Sequence, residues 1–310
     1  MRVFVTGATG VIGIRALPLL VAAGHPVTAA VRSAASRRRV EEIGASATSV
    51  DLFDPRSVRR AVAGHDAVVN LATHMPSSAV KMMLPWTWRE NDRIRRVGSA
   101  VIVDAAIVEG VSRLIQESFA PVYVDHGDGW IDETWAISPV RYNRTILDAE
   151  HSAERFMEAA RTGVILRFAA LYGPDPLLRD ILRAIKKGWS PLPGAPSAYV
   201  TSLWQGDAAA AVVAALGVPS GTYNVAETEP MRRGDWVASL AEAAGLPSPK
   251  PFPRWITKLV GGTAAALLAR SQRISNAKLR EASAWRPRYA NAATAWPDVL
   301  AQLDAPSASA

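Results

Sequence analysis

The chain has 310 residues, of which 49% are hydrophobic and 20% charged, and it contains no cysteine. This composition excludes a disordered chain, a disulfide framework and any cysteine-based metal site or nucleophile, and the length allows one large or two modest domains. The net charge is +7, with only six lysines among 35 basic residues. This excess of arginine indicates anionic ligands such as nucleotides, because arginine binds phosphate in a planar fork.

Short β-rich runs alternate with helical patterns over the first 170 residues. The predicted strands are 2–6, 26–32, 47–51, 67–71, 113–117 and 164–168, and the predicted helices are 11–23, 34–43, 55–62, 90–108 and 145–160. Strands and helices of these lengths form a parallel sheet covered on both faces, which is the doubly wound α/β architecture. Ligands of such sheets bind at the carboxyl ends of the strands.

The composition changes after residue 173, where Trp, Pro, Ala and Gly become frequent and strand patterns become rare. Helices are predicted at 208–216 and 233–244, a strand at 221–225, and mostly helical structure beyond. We interpret residues 1–172 as a dinucleotide-binding domain and 173–304 as a smaller, mostly helical substrate-binding lobe. The strand at 221–225 belongs to that lobe or returns to the sheet, and residues 305–310 are expected to be a frayed tail.

The first predicted strand is followed by a glycine-rich turn that opens the first helix. Glycines suit a tight turn, a close approach of the backbone to a pyrophosphate, and the packing of helix on strand. Free N–H groups at the start of the helix can then bind the phosphates. This context favours a dinucleotide-binding loop over an ordinary glycine-rich turn. The predicted cofactor contacts in the loop are Gly7, Thr9, Gly10, Val11, Ile12 and Gly13.

The end of the second predicted strand discriminates between dinucleotides. An NAD site would place Asp or Glu there, on the ribose 2′-hydroxyl, whereas this strand ends at Arg32 and the next acidic residue is Glu41. An arginine suits a 2′-phosphate, so we predict NADP as the cofactor and Arg32 as its ligand. The nearby Arg37, Arg38 and Arg39 would add positive potential, although a solvated helix face is the favoured interpretation.

Two further strand ends carry candidate cofactor contacts. Asp51 closes the third predicted strand, where its carboxylate either accepts from an adenine amino group or serves as a turn or cap residue. Leu71, Ala72 and Thr73 end or follow the fourth strand, and small residues there fit either packing or binding. The Met- and Trp-rich segment 74–88 is either an apolar substrate wall or a core-packing insertion.

These motifs resemble the extended short-chain dehydrogenase/reductase family, also called NAD-dependent epimerase/dehydratases. Beyond the glycine-rich loop, the resemblance includes Asp51-Leu52, Asn70-Leu71-Ala72, Gly98 with Ala105-Ala106, Ser118, Leu166-Arg167, Tyr172-Gly173-Pro174, Gly206-Asp207-Ala208 and Tyr223-Asn224-Val225. It spans nearly the whole chain. It implies a Rossmann-type domain, a bound nicotinamide dinucleotide, a small-molecule substrate held by the C-terminal lobe, and a homodimer through helices 90–108 and 145–160.

The resemblance also implies a catalytic Tyr-x-x-x-Lys motif with an upstream Ser or Thr. In the family the tyrosine transfers a proton, while the lysine holds the nicotinamide ribose and lowers the tyrosine pKa. Tyr142 matches the tyrosine and Glu150 a glutamate further along, but Ile146 stands where the lysine belongs. A register that starts at Ile146 lacks the lysine as well. By the resemblance, Tyr142 is the candidate proton donor, and Ser118 is the candidate that orients the substrate oxygen.

Two other features of the sequence bear on this interpretation. No lysine occurs from residue 82 to 185, so a small shift of register does not restore one. Arg95 replaces an asparagine that the family usually places three residues before the glycine of the long helix.

We therefore expect an NADP(H)-dependent oxidoreductase that acts on a small carbonyl or alcohol. The alternatives are an NADP-binding sensor or scaffold without redox activity, which the missing lysine favours, and a sugar-nucleotide epimerase or dehydratase. No metal is expected, because the five histidines do not pair at ligand spacing. A nucleic-acid partner is not expected either, since the basic residues are scattered. A cytoplasmic protein with no membrane partner is expected, because the longest apolar stretches fall short of the roughly 20 residues that cross a bilayer and no signal peptide is present.

Overall fold

The computed structural model describes residues 1–76, 79–82, 84–141, 143–251 and 262–304. Its strands are Val3–Thr6 (β1), Val27–Val31 (β2), Ser46–Ser49 (β3), Ala67–Asn70 (β4), Arg113–Phe119 (β5), Trp130–Ile131 (β6), Thr162–Phe168 (β7), Ala170–Tyr172 (β8), Tyr199–Val200 (β9), Ser202–Trp204 (β10), Gly221–Val225 (β11), Met231–Arg232 (β12) and Arg273–Ile274 (β13). Its α-helices are Gly13–Ala22 (α1), Ala34–Glu42 (α2), Pro55–Val62 (α3), Ala79–Met82 (α4), Arg89–Arg93 (α5), Ser99–Val108 (α6), Ile146–Glu158 (α7), Pro176–Lys186 (α8), Gln205–Ala214 (α9), Arg233–Ala243 (α10), Gly262–Leu268 (α11), Ala277–Ala282 (α12) and Ala292–Asp304 (α13). A π-helical segment, Ile94–Gly98, joins α5 to α6.

Seven strands form one parallel sheet in the order β11-β7-β5-β4-β1-β2-β3, which confirms the predicted doubly wound architecture. β1 pairs with β2 on one side and with β4 on the other. The strand order therefore reverses between β1 and β4. Such a reversal opens a crevice at the carboxyl ends of the strands, and this crevice is where ligands bind.

The central strands are buried on both faces, as near-continuous apolar runs such as Val3-Phe4-Val5 require. On one face, Leu17 of α1 and Val212 of α9 pack against the strands. On the other face, Ile102 of α6 and Phe156 of α7 do so. Each fully buried side chain of this size contributes roughly 1.5–3 kcal/mol of transfer free energy.

Most predicted boundaries lie within two residues of the observed ones, but the strand ends near the candidate site need correction. β3 ends at Ser49, so Asp51 follows the strand instead of closing it. β5 continues to Phe119 because its ladder with β7 runs on to the pair Phe119–Phe168. Ser118 therefore lies inside β5 and not just past its end.

The chain after residue 173 contributes both to the sheet and to a separate apolar cluster. β11 pairs with β7 and completes the central sheet, so the strand predicted at 221–225 does return to it. The separate cluster includes Leu178, Trp236 and Trp296, and the rings of these two tryptophans meet edge to face, 4.9 Å apart. Helix α8, which was not among the predicted helices, supplies Leu178.

Tyr142 and the tail 305–310 lie outside the described ranges, and so do residues 77, 78 and 83 of the segment 74–88 and residues 252–261 of the predicted C-terminal lobe. Within the described ranges, no helix combines the length and apolarity needed to cross a bilayer.

Candidate active site

Two glycines of the loop after β1 are fixed by close packing. Gly7 has a φ of +65°, and a Cβ there would lie 2.2 Å from the carbonyl oxygen of Leu71. A Cβ on Gly13 would lie 2.3 Å from the Gly7 carbonyl oxygen. The loop therefore closes tightly against the segment after β4 and against the start of α1, which only glycine at both positions permits.

The outer part of the same loop is open. A Cβ on Gly10 would meet only the Gly7 carbonyl oxygen, at 3.2 Å, and Thr9, Gly10 and Val11 are exposed, Val11 by 45%. The N-cap residue of α1, Ile12, makes no capping hydrogen bond with its side chain. An exposed backbone at an uncapped helix start fits a pyrophosphate, because the N–H groups and the helix dipole there favour an anion.

Arg32 is the first residue after β2 and its side chain is exposed. In the described part of the chain no carboxylate forms an ion pair with it. Arg37, in contrast, donates to the carbonyl oxygen of Ala47 at 2.8 Å and to Glu41 at 3.4 Å. Arg37 is thus occupied within its own neighbourhood, which agrees with the helix-face interpretation, while Arg32 has its guanidinium available for a ligand.

Asp51 is exposed, and its Oδ1 accepts a hydrogen bond from the N–H of Phe53 at 2.9 Å. This is the turn arrangement that the sequence left open as one alternative. Phe53 itself lies under the guanidinium of Arg93, 3.6 Å from the ring centroid, so the turn contacts α5. A role of Asp51 in binding adenine stays a prediction.

A buried amide network joins the ends of β1 and β4 to the middle of β5. Asn70, 1% exposed, accepts from the hydroxyl of Thr6 at 2.6 Å and donates to Oε1 of Gln116 at 2.8 Å. Leu71 and Ala72 are buried directly after it. The network fixes the ends of β1 and β4 against the middle of β5, and its signal in the sequence is a polar residue that closes an apolar strand.

Ser118 is fully buried, and its hydroxyl donates to the carboxylate of Glu150. Glu150 also receives two hydrogen bonds from Arg167, at 2.8 and 2.7 Å, and Arg167 donates to the hydroxyl of Tyr123 at 2.9 Å. Burial raises the pKa of Tyr123 to about 12. The Ser118 hydroxyl is thus directed into a buried charged network that joins β5, β7 and α7, and its role toward a substrate stays a prediction.

The position of the missing lysine is occupied by a core side chain. Ile146 is fully buried at the start of α7, and the preceding Thr145 donates to Asp92 of α5 at 2.8 Å. A different buried cation lies near the carboxyl end of β5, where Nη2 of Arg95 is 3.1 Å from Oε1 of Glu117. The side chains of this pair are 4% and 14% exposed. Sequence patterns could not predict a pair whose members are 22 residues apart.

A second buried acidic site lies where the C-terminal segment meets the sheet. Glu227, 1% exposed, accepts from the Tyr172 hydroxyl at 2.5 Å and from the Ser202 hydroxyl at 2.6 Å. Burial raises the pKa of Glu227 to about 7, and burial also raises the pKa of Asp207, to about 6. Glu227 was not a candidate from the sequence, because nothing in its local pattern indicates burial.

Comparison with known proteins identifies the class to which this fold and loop belong. Residues 7–177, more than half of the chain, match the NAD(P)H-binding family. The chain belongs to this family, and its cofactor class is NAD(P). Its architecture is that of the extended short-chain dehydrogenases/reductases, as the resemblance implied.

Three similar proteins illustrate the relationship. A 3-diazoavenalumate denitrifying reductase from Streptomyces sp. is 29% identical over 93% of this chain and 97% of its own length. A 2-alkyl-3-oxoalkanoate reductase from Shewanella oneidensis is 25% identical over 88% of this chain and 73% of its own length. The structure of Thermus thermophilus UDP-glucose 4-epimerase in complex with NAD is 26% identical with a TM-score of 0.77, covering 99% of this chain and 100% of that one.

Proposed function

We propose that this chain is an NADP(H)-dependent oxidoreductase that acts on a small carbonyl or alcohol substrate. The observation that carries the proposal is Arg32, an exposed arginine at the end of β2 where a carboxylate would favour NAD. A guanidinium fork there can bind a 2′-phosphate through charge-assisted hydrogen bonds. The names of two relatives, both reductases, support redox chemistry over a purely structural role.

Different parts of the chain bind different parts of the cofactor and the substrate. The open loop around Gly10 binds the pyrophosphate through backbone N–H groups, and the N-terminus of α1 favours its charge. Arg32 binds the 2′-phosphate. The cofactor supplies the hydride when bound, and the segment 173–304 holds the substrate over the ends of the strands. Tyr142 donates the proton, and Ser118 orients the substrate oxygen.

The cofactor preference tests this proposal. Wild-type protein should bind NADPH at least tenfold more tightly than NADH in a titration of reduced-nicotinamide fluorescence. Arg32→Ala should remove most of this preference, because the 2′-phosphate loses its charged partner while the rest of the cofactor keeps its contacts. Arg38→Ala, which removes an exposed arginine on α2, should leave the preference nearly unchanged. Equal binding of NADPH and NADH by the wild type would refute the NADP assignment.

A non-redox NADP-binding protein is the second candidate function. The observation that favours it is Ile146, whose fully buried side chain leaves the start of α7 without a lysine. A screen of small ketones, aldehydes and sugar nucleotides, followed by NADPH absorbance, distinguishes the two. Turnover of any substrate supports the oxidoreductase, and cofactor binding without turnover across the screen supports the second candidate.

A further inference from the structure

We propose that Glu117 contacts the nicotinamide half of the cofactor and that Arg95 positions its carboxylate. The inference rests on the proposed function only in requiring that a nicotinamide dinucleotide binds here. Neither residue was a candidate from the sequence motifs, and their ion pair is formed across 22 residues of chain.

The sheet places Glu117 at the second half of the nucleotide crevice. A dinucleotide lies across the point where the strand order reverses, with one mononucleotide on each side. Arg32 at the end of β2 marks the adenosine side. The nicotinamide side therefore lies over β4 and β5. Asn70, the last residue of β4, pairs with Gln116, so Glu117 lies level with the segment that follows β4.

The alternation along β5 places Glu117 on the same face of the sheet as the glycine-rich loop. Successive side chains of a strand point to opposite faces. Ser118 points toward α7, where Glu150 accepts its hydrogen bond. Ile115 belongs to the apolar cluster that also holds Ala8 of the loop. Glu117, two residues after Ile115, continues that face toward the carboxyl end of the strand.

The carboxylate keeps hydrogen-bonding capacity after its pairing with Arg95. Nη2 of Arg95 lies 3.1 Å from Oε1 and 3.4 Å from Oε2, so a single nitrogen serves both oxygens. An ionised carboxylate offers about four acceptor sites. A carboxylate at a strand end accepts from ribose hydroxyls in dinucleotide-binding folds. The groups that Glu117 would bind are thus the hydroxyl and amide donors of nicotinamide riboside.

Arg95 is held in place by an irregular helix. The π-helical segment that contains it inserts an extra residue into the helical path, and such segments occur often at functional sites. Upstream of Arg95, Oδ1 of Asn91 accepts from the N–H of His74 at 3.0 Å, which fixes α5 against the segment after β4. Nε of Arg95 is buried with no hydrogen-bond partner among the described residues. The hydrogen bonds of the guanidinium among the described residues are thus those of Nη2 to Glu117.

The other buried arginine of the region does not compete for this role. Arg167 uses Nε and Nη2 on Glu150 and Nη1 on Tyr123. Its three nitrogens are thus engaged in the network beneath the sheet end. Arg95, in contrast, reaches Glu117 from the segment that joins α5 to α6, near the carboxyl end of β5.

A double variant, Arg95→Leu/Glu117→Leu, tests the proposal without leaving one buried charge unpaired. Isothermal titration of the full chain measures the affinities for NADPH and for 2′,5′-ADP, which lacks the nicotinamide half. We expect the Kd for NADPH to rise at least tenfold and the Kd for 2′,5′-ADP to change less than twofold. The fluorescence enhancement of bound NADPH should fall as well, because it reports the surroundings of the nicotinamide ring.

Three further variants keep the test decisive. Glu117→Gln, which keeps the size of the side chain, should weaken NADPH at least threefold with the same selectivity. Arg95→Lys, which keeps the charge, should retain most of the affinity. The matched control Arg59→Leu/Glu109→Leu removes an ion pair between the C-terminal ends of α3 and α6 and should change neither ligand. Thermal melts report whether each variant folds.

The outcomes separate the two proposals. Unchanged NADPH affinity in the double variant, or an equal loss of both ligands, overturns the role of Glu117 and makes the pair purely structural. If the wild type prefers NADH, the NADP assignment fails, but the role of Glu117 can still be tested. NADH then replaces NADPH and 5′-AMP replaces 2′,5′-ADP, and the change in affinity is compared between the two ligands in the same way. If the wild type binds no dinucleotide, both proposals fail together.

Discussion

Glu227 shows how a single buried carboxyl group links stability to pH. Its usual pKa is 4.5, and burial raises it to about 7 in the folded chain. Between these two values the folded protein binds more protons than the unfolded one. The stabilising contribution of this group is therefore complete below about pH 4.5 and is lost as the pH rises through 7.

We predict that Glu227→Gln removes the loss of stability that the wild type shows as the pH rises through 7. A shift of this size corresponds to a free energy of unfolding on the order of 3 kcal/mol, and a glutamine can still accept from Tyr172 and donate to Ser202. The variant should melt close to the wild type at pH 5 and several degrees above it at pH 8. Differential scanning calorimetry at both values measures the difference.

A matched control separates this effect from the general pH dependence of stability. Glu242→Gln removes an exposed carboxylate on α10 and should follow the wild-type melting curve at both values of pH. A Glu227→Gln variant with the same pH dependence as the wild type would show that the buried carboxyl group does not titrate in this range.

At the scale of elements, two glycines of the same loop are expected to serve different purposes. Gly7 is needed for stability, and Gly10 for cofactor binding. Gly7→Ala places a Cβ against the Leu71 carbonyl oxygen at a φ of +65°. We predict a loss of at least about 2 kcal/mol of stability, because both the conformation and the contact are unfavourable. Gly10→Ala meets only one neighbour, at 3.2 Å, so its melting temperature should change little while NADPH affinity falls at least tenfold.

Urea unfolding and cofactor titration of both variants check this division. The Gly10 result matters most, because an unchanged affinity there would place the pyrophosphate away from the open part of the loop. Equal destabilisation by the two variants would show that the loop acts as one packed unit.

The elements differ in how far the sequence predicts them. The central strands were predictable because each is an apolar run bounded by turns, and 221–225 was recognisable as a strand although its place in the sheet was not. Helix α8 was not among the predicted helices, although Asp175-Pro176 and the apolar spacing of Leu178, Ile181 and Ile185 are typical of an amphipathic helix and its start. The π segment has no pattern of its own, because one inserted residue leaves the surrounding periodicity intact.

The same limit applies to the candidate site. The glycine-rich loop and Arg32 were predictable, because their meaning depends on local position after a strand. The Arg95–Glu117 and Glu150–Arg167 pairs were not, since each depends on which elements meet in three dimensions. The extension of β5 to Phe119 also had no local signal, because it depends on pairing with β7.

At the scale of the whole molecule, we predict a homodimer through the outer face of α5–α7, as the family resemblance implies. Val97 and Val108 are 41% and 61% exposed there. A charged residue in place of Val97 would be desolvated between two copies, so Val97→Asp should shift the mass from two chains to one. Sedimentation equilibrium measures this, with Leu19→Asp, another exposed apolar position, as the control. A wild-type mass of one chain would contradict the prediction.

The placement of β11 beside β7 also affects the order of events during synthesis. β7 ends at residue 168 and β11 begins at residue 221, so 52 intervening residues must be made before the edge of β7 is covered. At about 5–20 residues per second, a ribosome needs roughly 3–10 s for that length. During this interval the unpaired edge of an apolar strand is open to wrong partners. The nascent chain is therefore most vulnerable to aggregation after the nucleotide half has emerged and before the last strand arrives.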